Sequence, residues 1–222
     1  MDTDLLIRTL AEHVEAVKPL DRPWRRTVLW TMAAAAYLAV LLIVMSPRQD
    51  LPARMHDPQF VIEQAAALLT ALTAALAAFV TVVPGRRRSI VWFPIVSAGI
   101  WLAIVGVGAL RDARLAPSGD AVFQADWACV WTVAAGAAFP AVAMTAMLRR
   151  GVPMTPHLSA ALGGLAAAGL GNLGICLFHP DSSYLTILVW HGGTVVMIAA
   201  LIGIAGAQLL PWPRRHRAAL SA

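Results

Sequence analysis

"HLSAALGGLAAAGLGNLGICLF", residues 157–178, contains no Asp, Glu, Lys or Arg. A helix needs about 20 apolar residues to cross a hydrocarbon core, so this stretch is long enough to span a membrane. Within it Ser159, Gly163, Ala167 and Gly171 recur every four residues, as do Ala160, Gly164 and Ala168. Small residues at that spacing let helix backbones approach closely in lipid. Packing within one chain and homodimerisation both use such a face. Packing is the expectation, and it makes this helix central to the fold.

Outward from this helix, further apolar stretches predict a total of six spans, at 27–45, 60–83, 90–110, 123–147, 157–178 and 184–210. The chain is 59% hydrophobic and 13% charged, with a mean hydropathy of +0.70. Those values lie outside the range of soluble globular domains. The charged residues ahead of the first span do not resemble the short basic start of a leader, so no cleaved signal peptide is expected. The predicted fold is all-α: a polytopic bundle of six transmembrane helices over 27–210, with a segment 1–26 before it and a basic tail 211–222 after it. Short turns such as "PGRRRS" and "RRGVPMTP" make antiparallel hairpins the expected connections.

Basic residues give the orientation. Arg8, Lys18, Arg22, Arg25 and Arg26 precede the first span; Arg86, Arg87 and Arg88 follow the second. Arg149 and Arg150 follow the fourth, and Arg214, Arg215 and Arg217 the sixth. These are 13 of the 17 Lys and Arg residues, and positive loops stay cytoplasmic. Both termini are therefore predicted inside, with the protein in a bacterial inner membrane and lipid around it. The net charge of +5 then reflects topology, and direct nucleic-acid binding is not expected.

Ahead of the bundle, Leu6, Ile7, Leu10, Val14 and Val17 fall on one face of a helix that Pro19 stops. Asp2 or Thr3 can cap its start. Trp24, in the spacer "KPLDRPWRR", is placed to anchor at the membrane interface. An amphipathic helix lying on anionic lipid usually has a basic polar face. This one carries Asp4, Glu12 and Glu15 against Arg8 alone, which favours a groove on a soluble protein partner over the lipid surface.

Polar residues gather toward the outer half of the bundle: Glu63 and Gln64, Asp126 and Cys129, Asn172 and Cys176, and His191, with His179 and Asp181 in the last outer turn. Polar groups at membrane depth are costly unless partnered, so such a gathering suggests a site. Cys, His and carboxylate are the ligand types of zinc or a related transition metal. Cys129, Cys176, His179, Asp181 and His191 are the candidate sensing residues, with Cys129 and His179 at the centre. Structural polar packing is the plainer alternative. HExxH, GxSxG and Walker-type loops are absent, so no enzyme is expected. A small secondary transporter is the rival reading, although no internal repeat or midplane charge favours it. A membrane sensor without a sigma partner is another.

The head followed by "VKPLDRPWRR", the loop "PRQDLPARMHDPQF", the turn "PGRRR" leading to "WFPIVSAGIW", then "ADWACVW", "LRRGVPMTPHLSAALGGLAAAG" and "HPDSSYLTILVW" occur in an order that resembles the NrsF-type family, negative regulators of sigma F. The resemblance covers nearly the whole chain. It implies a six-span inner-membrane anti-sigma factor whose cytoplasmic N-terminal segment holds an extracytoplasmic-function sigma factor. A stress signal would then release that partner. It also implies a second cysteine immediately before the Pro-Asp of the last outer turn. Here that position is His179, with Cys176 one helical turn earlier. A thiol-pair mechanism therefore meets a substitution, and a metal site is expected in preference to a disulfide.

Overall fold

The computed structural model describes residues 2–12, 20–85, 88–115, 127–178 and 184–211. Every regular element among them is helical. The order is α1 (Thr3–Glu12), α2 (Pro23–Met45), α3 (Leu51–Arg54), α4 (Pro58–Thr81), a 3-10 turn at Arg88–Val91, α5 (Trp92–Leu115), α6 (Trp127–Leu148), α7 (Pro156–Ile175), α8 (Tyr184–Thr186), a π-helical turn at Ile187–Gly192, α9 (Gly193–Ile204) and α10 (Gly206–Leu209). Six segments are long and apolar enough to cross a membrane: α2, α4, Ser89–Arg114, α6, α7 and Tyr184–Ile204. The predicted spans are all present, and the protein is a multi-pass membrane protein.

The boundaries differ where local chemistry intervenes. α2 begins at Pro23, whose missing N–H costs nothing in a first turn, so it starts ahead of the predicted residue 27. α4 begins at Pro58 behind Asp57, whose carboxylate accepts from the Gln59 N–H at 3.0 Å. Gly85 ends the turn after α4 with φ +78, a conformation that suits glycine. The last span is not one regular helix. It passes through the π turn and breaks at Ala205 before α10.

The α7 helix is enclosed by α4, α6 and α9. Its small-residue faces are used up in doing so. A Cβ on Gly171 would lie 2.7 Å from the Ala137 nitrogen, and one on Gly164 would lie 3.1 Å from the Ala199 Cα. Gly163 backs onto Met144, Ala167 and Ala168 are fully buried, and Ser159 shares a 2.8 Å hydrogen bond with Thr81. Packing inside one chain accounts for the repeat, and these faces are not free for a second copy.

Spans three and four, α5 and α6, share no substantial interface, so the expected chain of hairpins does not run through every neighbouring pair. α5 lies on α4, and α6 lies on α7. α2 is a mostly exposed outrigger, and an apolar cleft of ≈ 460 Å³ lined by Trp24, Val28, Leu72 and Leu76 opens between it and α4. The chain direction defines two ends of the bundle. The head end carries the start of α2, the 82–85 and 149–155 turns and α10; the far end carries α3 and the starts of α4, α6 and α8.

Candidate functional site

Three features line up along the molecule: the head, its junction with the bundle, and a polar cluster at the far end. The head is α1, whose start is capped by Asp2 accepting from the Asp4 N–H at 3.3 Å. Among the described residues it makes no substantial contact with the bundle, and Ile7 is 58% exposed, as is neighbouring Leu5 at 62%. Val14, Val17 and the side chains of Leu6 and Leu10 lie outside what the structure describes.

At the junction, three side chains of α2 donate to backbone carbonyls of α6. Arg26 Nη2 reaches Met147, Trp30 Nε1 reaches Pro140 at 2.9 Å, and Tyr37 Oη reaches Ala135 at 2.8 Å. Arg26 is buried, and its guanidinium also lies 4.5 Å from the centre of the Phe79 ring. The Met147 carbonyl belongs to the last turn of α6, where it accepts only a long 3.4 Å bond from the Arg150 N–H and the helix dipole is negative. A cation is well matched to that place. Pro140 supplies no N–H within α6, and Gly136, one turn back, packs directly on Gly171. The long-range hydrogen bonds described for α2 thus run to α6, while it packs on both α4 and α6. The sequence signalled none of this, because "RPWRR" reads equally well as a topology signal.

At the far end, Cys176 Sγ lies 3.8 Å from His191 Nδ1, and both residues are buried. His191 is presented by the π turn, a geometry that recurs at functional sites. Cys129 is buried among Val133, Ile175, Phe178 and Trp190. No disulfide joins the two cysteines. His179 and Asp181, like Asp126, lie outside the described residues. The described histidine that pairs with a cysteine is therefore His191, and its cysteine is Cys176. These two donors suit zinc, but a closed zinc site takes four ligands. No group of three or more His, Cys, Asp or Glu able to hold a metal occurs among the described residues. The described donors alone do not make a metal site.

Two charged contacts sit above this cluster. The Arg48 side chain, 4% exposed, pairs with both Asp50 oxygens at 2.5 and 2.7 Å. Its backbone N–H donates to the Leu177 carbonyl at 3.1 Å, next to Cys176. The hydrogen bond from Arg48 holds the Asp50 carboxyl below its usual range. The loop "PRQDLPAR" is thereby fastened across the end of α7.

Neither a curated protein nor a solved structure matches the chain. Compared with known families, residues 10–212 match NrsF, negative regulator of sigma F. The match takes in the junction and the far-end cluster, and it begins inside α1. The chain belongs to the NrsF family.

Proposed function

We propose that the protein is an anti-sigma factor of the bacterial inner membrane, with both termini cytoplasmic. Its segment 1–26 sequesters an extracytoplasmic-function sigma factor and releases it on an envelope stress, metal or oxidant. Family membership makes a sigma factor the regulated target. The observation that carries the reading is the head itself: an acidic amphipathic helix, clear of the bundle, with apolar residues exposed. Leu6, Ile7, Leu10, Val14 and Val17 are the residues proposed to enter a groove on the sigma factor.

The signal is proposed to enter at the far-end cluster, where Cys176 pairs with His191, and Cys129, His179 and Asp181 are the other candidate sensing residues. The route to the head is α6. It carries Cys129 near its far end and, at its other end, the carbonyl that receives Arg26. A shift of α6 therefore moves α2 and the head with it.

The test is Leu10→Asp in the full chain. A charge buried in an apolar contact costs on the order of several kcal/mol unless it finds a partner. Constitutive sigma-dependent transcription at normal membrane levels of the variant is expected. Repression equal to the unaltered protein would remove this face from the account.

A further inference from the structure

We infer that the far half of the bundle encloses bound water around Asn172. Asn172 is 0% exposed, and neither its amide nitrogen nor its amide oxygen has a hydrogen-bond partner. The indole N–H of Trp101, a residue 3% exposed, has none either. Trp101 packs with Ala67, Ala168 and Ile187, and Asn172 lies one turn beyond Ala168 on the same face of α7.

Buried amide and indole groups without partners cost several kcal/mol in lipid as in a protein core. Two on two helices at one depth, as the Thr73–Ser97 and Gly169–Ala71 contacts set the register, point to a guest that satisfies them. Trp101 only donates, whereas Asn172 both donates and accepts. The guest must therefore accept and donate. A bare cation offers no acceptor to the indole N–H, and an anion offers no donor to the Asn172 oxygen. Buried water with two to four polar partners meets each requirement.

This water lies about one turn inward of the Cys176–His191 pair and gives a polar signal a path into an otherwise apolar bundle. Only that use rests on the proposed sensing role. The test reads water and not sigma-factor release, so either idea can fail alone. The full chain in lipid nanodiscs is exposed to X-ray pulses, which turn bound water into hydroxyl radicals, and oxidation is mapped by mass spectrometry. Trp30 is the internal control, being fully buried with its N–H satisfied by Pro140. Trp101 is expected to oxidise at least tenfold faster than Trp30, and Asn172→Leu to bring the two rates together. Equal protection of both tryptophans in the unaltered chain would overturn the inference. So would an unchanged Trp101 rate in Asn172→Leu.

Discussion

Arg26 shows how much of this molecule depends on one side chain whose place was hidden in the sequence. Before the first span an arginine reads as orientation, yet the fold turns this one inward onto the Met147 carbonyl and the Phe79 ring. The signal lies in another helix, since the Met147 carbonyl comes within reach of Arg26 only once α6 has packed beside α2. A hydrogen bond to a charged group contributes about 1.5–3 kcal/mol, and a cation over an aromatic ring about 0.5–2. Arg26→Leu is expected to loosen the α2–α6 junction. Spin labels at positions 22 and 149 should report a wider and broader distance distribution in the variant. An unchanged distribution would mean that packing alone fixes α2. Cys176 and His191 were both legible as polar residues at membrane depth. Their pairing was not, because the π turn that sets the direction of His191 has no signature in "ILVWHG".

Among the elements, α7 was the most legible. Its length gave a span, and its small residues at intervals of four gave a packed centre, because close backbone approach in lipid requires them. Choosing between an internal and an intermolecular interface needed the neighbours: α6 and α9 occupy the faces a second copy would have used. Gly171→Ala places a methyl against the α6 backbone, and overpacking of this kind costs about 1–3 kcal/mol. Gly99 on α5 has nothing within 4 Å of an added Cβ, so Gly99→Ala should be neutral, or stabilising by up to about 1 kcal/mol through helix propensity. Thermal unfolding of both variants in the same detergent checks the contrast. Equal behaviour would contradict the packing described for α7. α1 was legible as an amphipathic helix from its spacing and charges. Its separation from the bundle was not, since nothing in an apolar stripe says what will cover it.

For the whole molecule, composition and span lengths sufficed for a six-span all-α bundle, because lipid permits few alternatives. Which spans touch was beyond the pattern: α5 and α6 follow one another in the chain yet do not pack together. The proposed orientation rests on 13 of 17 basic residues lying at the head end. A periplasm-active reporter fused after Arg217 should stay silent, and activity there would place the head on the wrong side for a sigma factor. The central claim is that the free head of this bundle holds the regulated sigma factor. It is tested most directly by purifying the full chain from unstressed membranes beside the same chain lacking residues 2–20. A sigma factor identified by mass spectrometry should accompany the full chain and be missing from the headless one, with both present at equal level. Equal recovery with the headless chain would contradict the account.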